Sequence, residues 1–317
     1  MKQVAIWAAL AMLALASARA QPRPAPEKKA EPRKPAVAAS AAGTPPAPRI
    51  NPARAMQYVR EVVGIGPRPV GSSGHRKLET YLRSHLKGDD LEVDEFTAKT
   101  PAGTFPMRNY IARYPGTKDS VIVVATHYDT IHPLKNFVGA NDGGSGTGLL
   151  LELAHQLRGG KREGSSVWLV WLDGEEAFQK WSVTDSLYGS RHLAEKWKKH
   201  GTAGKVKAFF LLDMVGDADL NIDRDQNSTP ALLEVVQQAA ARLGYQSHFF
   251  RREIQVEDDH RPFASAGIPV ADLIDFDYGY GNAFWHTQDD TLDKLSPRSL
   301  EIVGNVVLES VGRLDQR

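Results

Sequence analysis

Four short apolar runs set the limits on what this chain can fold into: Val121–Ala125, Val167–Leu172, Ala208–Leu212 and Ile268–Ile274. Each is long enough for a strand and too short for a helix. None alternates with polar residues, so each needs cover on both faces. Segments of helical period fill the intervals, at Gly148–Leu157, Leu187–Trp197 and Ala231–Leu243, and a last one runs from Pro297 to Leu314. Buried strands alternating with helices predict an α/β fold: a single-domain α/β/α sandwich around a central mixed, mostly parallel, twisted sheet. Upstream, Asn51-Pro52 reads as an N-cap followed by proline at the first helical position, with Met56, Val59 and Val63 behind it. His75–Leu86 has helical period, Leu91–Thr97 alternates, and Asn109–Tyr114 is a second extended run.

The pattern occupies 51–317, enough for one large α/β domain. Before it, Lys2 precedes the apolar run Val4–Ala16, and Ala18-Arg19-Ala20 fits a small-x-small cleavage site. Residues 1–20 are therefore expected to be a signal peptide, with the mature protein exported, periplasmic or secreted, and without a transmembrane segment. Residues 21–50 hold eight of the 19 prolines, with alanine and lysine, and are expected to form a disordered tether. Removing the two basic residues of 1–20 and the net +4 of 21–50 from the chain's +1 leaves −5 for the folded part. That balance excludes an electrostatic case for nucleic acid and suits a small or peptide substrate. The chain contains no cysteine. Disulfides, thiolate metal sites and a cysteine nucleophile are excluded, so a metal must be held by His, Asp and Glu.

The polar residues fall at the ends of the apolar runs. Val121–Ala125 leads to His127 and Asp129, Val167–Leu172 to Asp173-Gly174-Glu175-Glu176, and Ala208–Leu212 to Asp213. Ligands of open α/β sheets bind outside the carboxyl ends of strands. The turn Asn141-Asp142-Gly143-Gly144, the segment Glu257-Asp258-Asp259-His260 and Trp285-His286 add further groups. Gly143–Gly148 lacks both dinucleotide spacing and the lysine of a phosphate loop, and no GxSxG elbow occurs. Asp217, Asp219, Asn221, Asp223 and Asp225 alternate like a calcium loop but lack its glycine and its bidentate Glu. Two histidines among carboxylates, with no cysteine, suit zinc. Adjacent Glu175 and Glu176 point different ways on an extended turn, so one can ligate metal while the other faces substrate. His127-x-Asp129 would let the carboxylate orient the imidazole.

The segments Thr126–Asp129, Asn141–Gly146, Asp173–Glu176, Asp213 and His286, in this order, resemble the zinc exopeptidases of the M28 clan. Asp173–Phe178, Trp181 and Asp185–Ala194 are similar to the animal-type glutaminyl cyclases of that clan. So are Gly66–Arg68 with Gly74-His75, Glu257–Phe263, and Trp285–Thr287 with Asp289-Asp290. The resemblance implies a glutaminyl-peptide cyclotransferase that turns the N-terminal Gln of peptides and proteins into pyroglutamate. It implies one zinc on Asp142, Glu176 and His286, Glu175 as acid/base, and Asp213 and Asp258 as a proton-sharing pair. Trp181 and Trp285 would bind substrate, joined by Phe284 or Tyr280, in a chain acting as a monomer. Asn141–Gly146 reads more like the aminopeptidase branch. Asp272 stands where animal cyclases carry histidine, and Glu257 where they carry an amide. The alternative is a dizinc aminopeptidase of the same clan, with His127 and Asp213 holding a second ion. A peptide- or glycan-binding ectodomain without turnover is a third reading, against which the intact set of ligands speaks.

Overall fold

The computed structural model describes residues 49–132, 134–160 and 162–316. The expected signal peptide, and the expected tether up to residue 48, lie outside these residues. Ile50, the last residue assigned to the tether, belongs to the folded body. It is buried, and its N–H donates to Asn305 Oδ1 at 3.1 Å.

Helix α1 (Pro52–Gly64) starts as the sequence predicts, with the Asn51 side chain accepting the N–H of Arg54 and proline opening the first turn. Helix α2 (Ser73–His85) is capped by Ser72. Strands β1 (Asp90–Thr100) and β2 (Gly103–Tyr114) form an antiparallel hairpin. Then come β3 (Gly116–His127), α3 (Gly144–Leu157), β4 (Arg162–Leu172), α4 (Tyr188–Lys199) and β5 (Val206–Asp213). The chain continues through β6 (Ile222–Asp225), α5 (Pro230–Leu243), β7 (Phe249–Ile254), α6 (His260–Ser265), β8 (Val270–Ile274) and α7 (Pro297–Gln316). None of the described helices is long and apolar enough to cross a membrane.

The main sheet runs in the order β1-β2-β4-β3-β5-β8. Its four strands β4-β3-β5-β8 are parallel, and β1 and β2 join antiparallel at one edge. Alternation along the strands divides the core in two. Ile122, Val124, Leu169, Trp171, Phe210 and Leu212 face the layer built on α1, α2, α3, α5 and α7. Val123, Ala125, Val170, Leu172, Phe209 and Leu211 face α4 and α6. This double cover is why the four runs carry no polar alternation.

The short parallel pair β6–β7 was not legible, because its residues are half polar. In and before this pair, Asp217, Asp223 and Asp225 do separate tasks rather than forming one cation loop. The Asp217 backbone bridges to Leu295, Asp223 pairs with Arg252, and Asp225 faces His260. Helix α3 begins four residues before its apolar period, through Gly144–Thr147, because its glycines let neighbouring backbones come close.

The connection leaving β3 passes through α3 on one face, and that leaving β4 passes through α4 on the other. The crevice between their carboxyl ends is therefore the switch point of the sheet. Gly148 sets how closely α3 approaches α1: a Cβ there would stand 2.5 Å from Val59 Cγ2 and 2.7 Å from Val59 N. Gly148→Ala should therefore reverse the usual helix gain of alanine and destabilise the protein by about 1–3 kcal/mol. A midpoint in denaturant equal to or above that of the parent would show that the two helices tolerate the methyl group.

Candidate metal centre and active site

The crevice collects one group from each strand end. β3 ends on His127. The following loop returns to Asp142 at the start of α3, through Gly143 at φ +73°, where a Cβ would stand 2.6 Å from the Asp129 carbonyl oxygen. β4 runs into Glu175 and Glu176, and β5 ends on Asp213. Met214 and His286 take left-handed conformations, at φ 48° and 53°. Such residues cost about 1–3 kcal/mol each and cluster where a surrounding site over-determines them.

His286 Nε2 lies 3.3 Å from Asp142 Oδ2 and 3.3 Å from Glu176 Oε1. His127 Nε2 lies 3.2 Å from Asp142 Oδ1 and 3.2 Å from Asp213 Oδ1. Asp142 therefore stands between two imidazoles. Two sets of donors come within reach of a single ion: Asp142, Glu176 and His286, and His127, Asp142 and Asp213. Asp142 Oδ2 and both Glu176 carboxylate oxygens are buried without a hydrogen-bond partner. Buried oxygens left this way are costly unless a cation takes them up, and a mixed oxygen and nitrogen set suits zinc.

Taken as protein groups alone, the cluster holds protons where a cation would bind. Burial pushes the Glu176 carboxyl up to about 7, and the Asp142 charge adds to it. Burial would lower the His286 imidazole, but Asp142 and Glu176 outweigh it and raise it to about 10. Metal binding must displace such protons. Burial raises Glu175 well above the usual carboxylate range, with Glu176, Asp258 and Asp259 adding to it against His127. Asp258 is raised well above its ordinary value by burial and then by the Asp213 and Asp259 charges. Carboxyls displaced in this way are suited to carrying a proton near neutral pH.

A cavity of about 460 Å³ opens over these groups. Asp142, Glu175, Glu176, Asp213, Asp258 and His286 form its polar part, and Ile131, Phe276, Trp181 and Trp285 its apolar walls. Trp285 stacks on His286 with centroids 4.1 Å apart, and Phe276 meets Trp285 edge-on at 5.0 Å. The structure thus brings together Asp142, Glu175, Glu176, Asp213, Asp258, His286, Trp181 and Trp285. It differs on the aromatics. Tyr280 is fully exposed and Phe284 packs against Tyr278, away from the cavity, which takes Phe276 instead. It also differs on Asp129. That carboxylate stands 3.7 Å from His127 Nδ1, and its hydrogen bonds come from the N–H groups of Glu175 (3.1 Å) and Glu176 (3.3 Å). Asp129 fixes the paired glutamates rather than the imidazole.

Two residues that the sequence marked only by resemblance turn out to support the site. Arg68, fully buried, donates to the carbonyls of Val138 (2.6 Å) and Gly139 (3.0 Å) and so shapes the loop before Asp142. Asp290 accepts the N–H of Asn141 (2.8 Å) and of Asp142 (3.1 Å), and the Tyr278 hydroxyl (2.7 Å). Their acidic and basic types were visible in the sequence, but their partners are backbone groups far along the chain. Asp290→Ala frees the backbone of Asp142 and should weaken zinc binding about 10- to 100-fold in competition with a chelator. Unchanged affinity would mean that the loop holds Asp142 without it.

The profile of peptidase family M28 matches residues 109–311. Glutaminyl-peptide cyclotransferase of Drosophila melanogaster is 31% identical over 264 residues, which span 74% of this chain and 73% of that protein. The crystal structure of an Acidobacteriales bacterium glutaminyl cyclase superposes with a TM-score of 0.85 at 52% identity, over 88% of this chain and 99% of that one. A Zn-dependent exopeptidase from Parabacteroides distasonis superposes with a TM-score of 0.76 at 28% identity, over 86% of this chain and all of that one. The chain belongs to peptidase family M28 and, within it, to the glutaminyl-peptide cyclotransferases.

Proposed function

We propose that the cavity binds the N-terminal glutamine of peptides and proteins and closes it to pyroglutamate with release of ammonia. The carrying observation is that Asp213, which a two-metal site would need as a ligand, shares the cavity with the buried Asp258 and is the charge that most raises it. A like charge beside a buried carboxyl favours its neutral form, so Asp258 is suited to keep a proton next to Asp213. Asp142, Glu176 and His286 would hold one zinc ion. Bound there, zinc supplies Lewis-acid polarisation of the γ-amide carbonyl.

The substrate carries its own nucleophile, so the protein need not bring in a second reactant. The bond between the α-nitrogen and Cδ forms, and the bond between Cδ and the amide nitrogen breaks. Glu175 takes a proton from the amine and returns one to the leaving ammonia, a role worth about 10²- to 10⁴-fold. Asp258 holds its proton beside it, next to Asp213. Trp181 and Trp285 cover the glutamine chain and keep water from competing with the amine. Residues 1–20 support export, so the reaction would take place in the periplasm or outside the cell. A dizinc aminopeptidase is the second reading, favoured by the common reach of His127, Asp142 and Asp213.

A Gln-initiated peptide should lose ammonia by mass spectrometry; release of free glutamine would turn the reading to the aminopeptidase. One zinc per chain is expected, and two tightly held ions would point the same way as free glutamine. Glu175→Gln should keep its zinc and lose turnover by about a hundredfold or more, whereas Glu176→Gln should lose the metal. A metal-free Glu175→Gln protein would reverse the two roles.

A further inference from the structure

The reaction takes place on the first residue of a peptide, so the chain that follows must leave the cavity across its rim. On the Glu257 side that rim opens on a surface groove of about 450 Å³ between α4 and α6. Glu257 lines both cavity and groove. The loop between β4 and α4 joins them a second time, with Trp181 in the cavity wall and Val183 in the groove. The acidic depression around Asp217, Asp277 and Tyr280 shares no residue with the cavity. Helical spacing builds the groove: Leu187, Arg191, Ala194, Glu195 and Lys198 recur at intervals of three and four and line one face of α4. Arg261 and Ser265 do the same on α6. The rise from Leu187 to Lys198 is about 16 Å at ~1.5 Å per residue, the span of roughly four or five extended residues.

The head of the groove is preformed. Arg191 donates to the carbonyls of Val183 (3.1 Å), Ser186 (2.7 Å) and Leu187 (3.2 Å), and so ties the loop to α4. Val183 is nonetheless 89% exposed. Large apolar side chains exposed among the described residues are Trp181, Val183, Tyr280 and Trp285; two line the cavity and Val183 stands where the groove begins. A fixed loop cannot turn that valine inward, but a bound chain can cover it. The groove carries both signs of charge. Arg261 pairs with Glu257 at 3.2 Å, and neither Glu195 nor Lys198 makes an ion pair among the described residues. Mixed charge around apolar Val183, Leu187, Ala194 and Pro262 suits apolar and backbone contact with many sequences. We infer that the groove binds the residues behind the N-terminal glutamine, as an extended chain running from Val183 and Glu257 towards Lys198. This rests on the cyclase reading for the residue in the cavity and adds the path of the chain behind it. The substrate class is then a peptide or protein whose first five or six residues are unfolded.

The test uses the full zinc-loaded protein and Gln-initiated peptides extended with alanine and valine from two residues to eight. kcat/KM should rise about 10-fold up to five or six residues and then stay level, through KM rather than kcat, the return on about two buried methylene groups. Equal kcat/KM for the two- and six-residue peptides overturns the groove. Val183→Asp puts a charge at its head and Ser265→Trp fills its floor, so each should bring the six-to-two ratio close to one. A ratio kept in both variants overturns the assignment. The ratio is taken within one protein, so dipeptide turnover itself shows that the variant is folded. Should neither variant fold, the slowed Glu175→Gln protein is irradiated with a six-residue Gln peptide bearing a benzophenone at its fifth position. Crosslinks on α4 or α6 support the groove; crosslinks around Asp217 and Tyr280, or spread over the surface, overturn it. Release of free glutamine would refute the cyclase reading alone, while the length dependence and the crosslinks would still decide the groove.

Discussion

The site depends on the position of one carboxylate. Asp142 lies at the mouth of α3, with its backbone N–H held by Asp290 and its two side-chain oxygens turned to two different imidazoles. Burial alone would protonate it; His127 and His286 outweigh burial and hold its carboxyl below the usual range. The same residue belongs to both sets of candidate metal donors. Whatever occupies the crevice is therefore referred to Asp142. The glycine that follows it, the buried arginine under its loop and the aspartate across from it all act on its placement.

Such a site is costly to fold. Several carboxyls lie out of water, and three of the flanking residues take left-handed backbone. The cost is met by a sheet apolar on both faces, which keeps the strand ends from adjusting to the charges they carry. Asp129 shows how local the compensation is. Each of its oxygens takes the N–H of one glutamate of the pair, so one buried charge fixes two others by their backbones. Asp185 does the same for the loop bearing Trp181, accepting the N–H groups of Phe178, Gln179 and Lys180.

The strands, helices and chemistry of this chain were legible because each rests on local pattern. A run such as Val167–Leu172 must be covered, and an acid directly after it must lie at a sheet edge. Glu175 and Glu176 stood out because two acids after a buried strand have few other uses. The aromatic wall was not legible. Phe276 and Phe284 lie eight positions apart in one loop, and only its left-handed turns at Gly279, Gly281, Asn282 and His286 decide which ring meets the cavity. The Asp129 role failed for a related reason. The spacing His127-x-Asp129 invites a side-chain pairing, but the peptide groups of the next strand end lie closer. The β6–β7 pair was missed because it is short and half of its residues are charged.

The charge of the cavity also bears on what enters it. A peptide N-terminus arrives as an ammonium and is drawn to a floor of carboxylates, whereas an acidic side chain at that end is repelled. Attraction alone would stall the reaction, because an ammonium has no lone pair. The floor must therefore take the proton that attracted the substrate. Glu175, buried and raised by Glu176, Asp258 and Asp259, is the carboxyl whose surroundings make it receptive. Glu176 is also raised by burial but faces His286 and Asp142, where a cation would claim its oxygens. The two adjacent glutamates are thus separated in function by what each one faces, and the indoles at the mouth keep that contrast in a place from which water is largely displaced.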